Sequence, residues 1–370
     1  MRVLLAPDKF KGTLTAAEVA NHLARGIAAL RPDVEIVVVP VADGGDGTLD
    51  AFAAAGFRRV TVTAEDAVGA AVVTNYVRDG ERAVVELAAV AGLARLGTRR
   101  APMTASSRGV GQLIGAALDD GCSRIVVGIG GSASTDGGIG MIRGLGAHVL
   151  GDDGCEVPDG GLGARVASRL DVSALHPGLR DATVEVACDV DNPLTGPSGA
   201  AAVYGPQKGA TPDQVAELDA ALGHWADVVA ATARNDHRDD PGAGAAGGVG
   251  FGAVAVLGAT LRPGLELVLE ALRFTERLSG ADLVITGEGS IDEQTLRGKA
   301  PAGVARAAHA AAIPVIAVAG RKALDETAAR TAGFDVVYTL LDAAADESEA
   351  MTAPGPLLRR IGEQIAGGLA

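Results

Sequence analysis

RVLLAPDKFKGTLTAAEVANHLARGIAALRPDVEIVVV, residues 2–39, is the stretch whose reading decides the fold class. Its two ends, residues 2–6 and 34–39, are short aliphatic runs bounded by prolines, the pattern of strands buried on both faces. Between them Thr15 and Glu18 are spaced as a capping box. Val19, Leu23, Ile27 and Leu30 then recur at helical spacing and give one apolar face. Strand, helix and strand in that order make a βαβ unit, because parallel strands need a crossover and a helix is the usual one.

The pattern changes from about residue 60. Val60-Thr-Val-Thr, residues 70–77 and residues 82–87 read as strands, and Asp79-Gly80 between the last two is a type I′ hairpin signal. A helix capped near Ser106 and running to about Asp120 leads to an apolar run at 124–129, and another strand is expected at 182–188. A helix starts at Thr211, with Pro212 at the first helical position and Gln214 closing the box. After Gly264 the α/β alternation returns, with strands expected at 281–286, 313–318 and 334–340 and helices near 265–279, 300–311 and 357–368. The expected organisation is a discontinuous α/β domain, residues 1–61 plus 261–370, interrupted by a mixed α/β domain at 62–260. The pattern alone does not say which domain receives the run at 124–129.

A chain of 370 residues accommodates two such cores. Its net charge of -14 argues against nucleic acid or an anionic membrane as partner, since both need a basic footprint. No stretch reads as a signal peptide or reaches 18 uninterrupted apolar residues, so a cytoplasmic protein without a membrane anchor is expected. Cys122, Cys155 and Cys188 are odd in number and widely spaced, which indicates neither a disulfide framework nor a zinc site. The 52 glycines are about twice the usual ~7% and demand a reason. Only five of the 32 basic residues are lysines, and four of them, Lys9, Lys11, Lys208 and Lys299, stand in or beside glycine-rich segments, where a compact ammonium suits phosphate or carboxylate oxygens.

Five polar, glycine-rich segments each follow or flank a predicted strand, the place where open α/β sheets bind ligands. They are Pro7-Asp-Lys-Phe-Lys-Gly-Thr, Asp43-Gly-Gly-Asp-Gly-Thr, Gly128-Ile-Gly-Gly-Ser-Ala-Ser-Thr-Asp-Gly-Gly, Asp189-Val-Asp-Asn-Pro-Leu-Thr-Gly with Gly205-Pro-Gln-Lys-Gly, and Thr286-Gly-Glu-Gly-Ser-Ile-Asp-Glu-Gln-Thr with Gly298-Lys. Each alone is ordinary turn chemistry. Together they supply what phosphoryl transfer needs: backbones open to phosphates, lysines, hydroxyls, and carboxylates for a metal and a proton. The P-loop pattern is absent. His237-Arg-Asp lacks the downstream partners of a protein-kinase catalytic loop and reads as a solvated loop. Gly128-x-Gly-x-x-Ala invites a dinucleotide reading, with Asp152 or Asp153 as ribose ligand. The five glycines of residues 136–146, each costing a helix interior ~1 kcal/mol, argue against a crossover helix and for an anion-binding loop.

With these segments in order, and with Gly242-Ala-Gly-Ala-Ala-Gly-Gly, the chain resembles the bacterial glycerate kinase type I family along essentially its whole length. Lys9 departs from the serine common at that place, and Ser106-Ser-Arg-Gly-Val-Gly is a loosened form of the family's loop. The resemblance implies two unlike α/β domains, one flavodoxin-like, with ATP and glycerate meeting in the cleft between them and Mg²⁺ required. It favours D-glycerate as acceptor and 2-phosphoglycerate as product. A glycerate 3-kinase, a dinucleotide-dependent oxidoreductase and a non-catalytic two-lobed binding protein are the competing readings, and the oligomeric state is not legible.

The expected site follows from the same segments. Asp189, at the end of a buried strand, is the expected base, with Asn192 orienting substrate or metal. Lys11 and Arg297 receive the glycerate carboxylate. Gly130, Gly131, Ser132 and Ser134, with Lys208 and Lys299, hold the phosphates, and Glu288 with Asp292 the metal. Asp8 is placed with the substrate. Asp43 and Asp46, at the start of a helix, are explained equally by capping and by binding a substrate hydroxyl.

Overall fold

The computed structural model describes every residue except Asp46, Arg234, Arg297, Gly298 and Ala370. In chain order its strands are β1 (Arg2–Pro7), β2 (Glu35–Val38), β3 (Arg58–Glu65), β4 (Ala71–Asp79) and β5 (Arg82–Glu86). They continue as β6 (Arg124–Gly128), β7 (His148–Leu150), β8 (Arg169–Asp171), β9 (Thr183–Ala187) and β10 (Thr260–Arg262). The last three are β11 (Leu283–Ile291), β12 (Val315–Lys322) and β13 (Val336–Thr339). The chain divides into two compact units: Met1–Asp43 with Asp50–Phe57 and Leu265–Ala370, and Gly44–Leu49 with Arg58–Gly264.

In the first unit the sheet order is β13-β12-β11-β1-β2, and every pairing is parallel. Counted within the unit this is the doubly wound 2-1-3-4-5 order of flavodoxin-like folds, whose strand order reverses between β1 and β11. The helix Ala16–Leu30 begins at the expected capping box, with Glu18 N–H donating to Thr15 Oγ1 at 3.2 Å and Thr15 N–H to Glu18 Oε2 at 2.8 Å. Its Leu23 and Ile27 pack in one apolar cluster with Leu358, Ile361 and Ile365 of the helix Pro354–Gly367. Each such side chain contributes roughly 1.5–3 kcal/mol by leaving water. The helix expected at 265–279 is broken in two, Gly264–Ala271 and Phe274–Leu278, because Arg273 takes a left-handed φ of 50°.

In the second unit the order is β10-β9-β6-β5-β4-β3. β10, β9, β6 and β5 run parallel, while β4 and β3 are antiparallel and the β4–β5 hairpin turns at Gly80 with φ 57°. The run at 124–129 belongs here, as β6 between β5 and β9. Gly128 at its end has no room for a side chain: a Cβ would stand 2.4 Å from the Gly44 carbonyl oxygen. A helix does form among the glycines of 136–146, but only as Ile139–Gly144. The strand after it, β7, pairs antiparallel with β8 in a separate sheet, so the βαβ unit of a dinucleotide site is not built there. Among the described residues no helix is long and apolar enough to cross a membrane.

Candidate functional site

Open parallel sheets present ligands with the carboxyl ends of their strands, where N–H groups and side chains of the following loops are free of the ladder. In both units motif residues stand at those ends, while Gly205-Pro-Gln-Lys-Gly lies between the helices Ala200–Tyr204 and Pro212–Ala233. In the first unit, Asp8 follows β1, Asp43 follows β2, and Glu288 lies near the end of β11, one residue past the Pro7↔Gly287 pairing. The reversal point between β1 and β11 is therefore lined by acids. Asp8 is buried, and its backbone N–H donates to the Gly287 carbonyl at 2.8 Å. Burial pushes its carboxyl up to about 7, helped by Asp43 and Glu288 and opposed by Lys9, whose N–H donates to Asp8 Oδ1 at 2.6 Å. Lys11 is exposed in the same loop.

Glu288 is also raised by burial, but both its oxygens have partners. Oε1 accepts the Thr295 hydroxyl at 2.6 Å and Oε2 lies 3.3 Å from Lys299 Nζ. Lys299 Nζ is in turn 4.0 Å from Asp292 Oδ1, while the Asp292 N–H donates to Thr295 Oγ1 at 3.1 Å. The pair expected to bind a metal thus brackets an ammonium. A dication site needs converging, unoccupied oxygens, and among the described residues no group of three or more His, Cys, Asp or Glu is placed to hold a metal ion. In this arrangement the Lys299 ammonium faces the two carboxylates, Glu288 and Asp292, that would hold Mg²⁺. Arg297 and Asp46 lie outside the described residues.

In the second unit, the neighbouring strands β5, β6 and β9 end at Glu86, Gly128 and Ala187. Glu86 is buried, and its two oxygens accept the N–H groups of Gly47 and Leu49, each at 3.1 Å. It thereby serves as a long-range cap for the helix Thr48–Ala54, a role that no local spacing announces. The glycine-rich segment after β6 is reachable only at its start: Gly130 is half-buried and Gly131 exposed, while residues 132–140 are buried. Ser132 and Ser134 face inward, with Ser132 Oγ 3.1 Å from the Ala246 carbonyl oxygen and 3.3 Å from Ser134 Oγ. Lys208 joins them, donating to the Ser134 carbonyl and to Ser132 Oγ. Asp136 accepts N–H groups from Ser107, Gly138 and Gly140 and the Ser107 hydroxyl.

Asp189 is exposed and follows β9. Its Oδ1 accepts the Gly264 N–H at 2.8 Å. Asn192 has both ends of its amide engaged, Nδ2 donating to the Ser198 carbonyl at 2.8 Å and Oδ1 accepting the Tyr204 hydroxyl at 2.6 Å. Thus the structure gathers Asp8, Asp43 and Glu288 in one unit, and Gly130, Gly131, Ser132, Ser134 and Lys208 in the other. Sequence reasoning missed Glu86, Asp136, Thr295 and Trp225, whose indole N–H donates to the Gly137 carbonyl at 3.1 Å. Asp136 and Thr295 carried a signal, each as a member of a quoted glycine-rich segment.

Known proteins match this arrangement over its full length. The glycerate kinase from Bacillus subtilis is 43% identical over 99% of this chain and 97% of its own. Glycerate 2-kinase from Escherichia coli is 42% identical over 100% of this chain and 98% of its own. A crystal structure from Salmonella typhimurium LT2, provisionally named glycerate kinase 2, superposes with a TM-score of 0.88 at 40% identity, covering 99% of this chain and 97% of that one. The model of the glycerate kinase family itself matches residues 3–370. Two α/β units with acid- and glycine-lined strand ends, matched from end to end by these relatives, place the chain in the glycerate kinase family, and it is a phosphotransferase with an alcohol acceptor.

Proposed function

We propose that this protein is an ATP-dependent glycerate 2-kinase of the cytoplasm, converting D-glycerate to 2-phosphoglycerate. The observation that carries the regiospecific part is the 42% identity with the Escherichia coli glycerate 2-kinase along 98% of that chain. In the reaction the acceptor oxygen bonds to the γ-phosphorus as the bridging bond to ADP breaks, and the hydroxyl proton passes to a base. The accessible backbone of Gly130 and Gly131 is suited to phosphate oxygens. Lys299, a third exposed and steadied by Glu288 and Asp292, supplies positive charge. Lys11, with Arg297, meets the glycerate carboxylate, and Asp43 with Asp46 the remaining hydroxyl. Mg²⁺ would partner the nucleotide phosphates and offset their negative charge.

Two aspartates compete for the base. Asp189 has its place at the end of β9, with Asn192 beside it, but its Oδ1 already accepts an N–H. Asp8 has what proton transfer favours, burial at the strand-order reversal and a carboxyl raised to about 7, near the working pH. Our reading favours Asp8. Replacing the base with asparagine lowers turnover by ~10²–10⁴. A change of only a few fold in Asp8→Asn, with a large loss in Asp189→Asn, reverses the assignment.

The activity itself is tested with D-glycerate, ATP and Mg²⁺, read through enolase and pyruvate kinase without phosphoglycerate mutase. A signal establishes 2-phosphoglycerate. Silence relieved by the mutase means a 3-kinase, and silence with the mutase present refutes glycerate phosphorylation.

A further inference from the structure

We infer that Lys208 never touches the bound nucleotide but is a positioning residue, an internal strut that fixes the Gly130–Gly131 corner by tying down the segment behind it. The inference rests on reading that corner as the phosphate site. A ligand for phosphate must be reachable, and Lys208 is 2% exposed. Its ammonium is spent on the Ser134 carbonyl and the Ser132 hydroxyl, and Asp136 is the charged group that faces it.

The surroundings show that the segment is held by design rather than by chance contact. Ala246, Gly247 and Gly248 run left-handed, with φ of 54°, 74° and 91°, an arrangement unfavourable for the alanine. That turn brings backbone against backbone: Gly137 N–H donates to the Gly247 carbonyl at 3.0 Å, and a Cβ on Gly247 would lie 2.0 Å from the Ser134 carbonyl oxygen and 2.9 Å from Lys208 Nζ. On the other side Leu93 N–H donates to the Gly131 carbonyl at 2.8 Å and Ala133 N–H to the Ala91 carbonyl at 2.9 Å. With the Gly131 carbonyl engaged by Leu93, the half-buried Gly130 and exposed Gly131 keep an accessible side for the ligand. Burial opposes the charge that does the tying and lowers Lys208 to about 8, with Asp136 acting the other way.

The sole tryptophan of the chain, Trp225, donates to Gly137 of this same segment and reports its state. The experiment is tryptophan emission of the nucleotide-free protein, with steady-state kinetics, for wild type, Lys208→Met and Ser132→Ala. Lys208→Met is expected to shift the emission before any nucleotide is added and to raise KM for ATP about tenfold or more, the scale of a lost charged hydrogen bond, with kcat held within a few fold. Ser132→Ala moves both in the same direction by less. Ser132→Ala removes one of the two acceptors without touching the ammonium, and so keeps the test informative where Lys208→Met folds poorly. An unchanged emission in the nucleotide-free variant with a raised KM means direct contact with phosphate and overturns the inference. A shifted emission with unchanged KM overturns it as well. Wild-type activity measured first separates either result from failure of the kinase reading.

Discussion

The Asp136 carboxylate accepts both the backbone N–H and the hydroxyl of Ser107, each at 2.8 Å, inside a region closed to water. The same carboxylate takes the N–H groups of Gly138 and Gly140 at 3.1 Å, so one side chain satisfies donors at the starts of two helices, Arg108–Asp119 and Ile139–Gly144. Burial raises its pKa and these donors lower it. Asp136→Asn keeps the shape but turns an NH₂ toward N–H groups, leaving at least one buried donor unpaired. The expected cost is about 2–4 kcal/mol of stability, read as a lower urea midpoint at unchanged m-value. A loss below about 0.5 kcal/mol contradicts the role, since that is the scale of surface substitutions.

Asp8 yields a prediction in which stability and activity move oppositely. Its folded pKa of about 7 lies above the ordinary 3.8, with burial the main cause. Between those values the folded chain retains a proton that the unfolded chain has lost, so this residue's contribution to stability falls as pH rises through that window and stays low above it. Asp8→Asn removes the penalty. The melting temperature of the variant is expected to exceed that of wild type at pH 8 and to equal it at pH 4, while turnover at pH 8 collapses. Equal melting temperatures at both pH values exclude the raised pKa.

Local signals explain which parts of this architecture were legible. Thr15 with Glu18 and Thr211 with Gln214 form the expected capping boxes, because each depends on residues within a few positions; the hairpin forms where expected, but its loop is Gly80-Glu81 with positive φ at Gly80 only, which is not the expected type I′ turn. The motif residues that follow β1, β2, β6, β9 and β11 fell at strand ends because strands and glycine-rich loops are local patterns as well, whereas Gly205-Pro-Gln-Lys-Gly lies between two helices. The sheet that receives β6 was not legible, since an aliphatic run reads the same in any parallel sheet. Nor was the burial of Lys208: Ser134, whose carbonyl accepts from it, is 74 residues away, and a lysine's spacing beside glycines says nothing of that contact. The left-handed turn at Ala246 was hidden for the same reason, as its support comes from Ser132 and Gly137.

Glu86 is the opposite case, a residue without a motif that holds one in place. A glutamine there can accept only one of the two N–H groups of Gly47 and Leu49 and presents an NH₂ to the other. Glu86→Gln is expected to destabilise by about 1–3 kcal/mol. The local readout is amide hydrogen exchange: Gly47 and Leu49 lose protection before the strands β3–β5 do. Unchanged exchange at both amides contradicts the capping role.

The arrangement of Glu288, Thr295 and Lys299 separates two accounts of charge at the end of β11. Were Glu288 a ligand of the divalent ion, Glu288→Gln would raise the Mg²⁺ concentration for half-maximal activity, and added Mg²⁺ would restore turnover. In the geometry observed, the carboxylate instead steadies the Lys299 ammonium at 3.3 Å while the Thr295 hydroxyl fixes its other oxygen at 2.6 Å. Glu288→Gln is then expected to lower kcat with the Mg²⁺ requirement unchanged, and Lys299→Met to do the same more severely, because it also leaves Glu288 buried without its cation. A tenfold rise in the Mg²⁺ requirement of Glu288→Gln would return the metal to this residue. Lys299→Arg discriminates further: a planar guanidinium keeps the charge but not the point geometry, so partial activity would show that charge suffices, and none that the compact ammonium is needed.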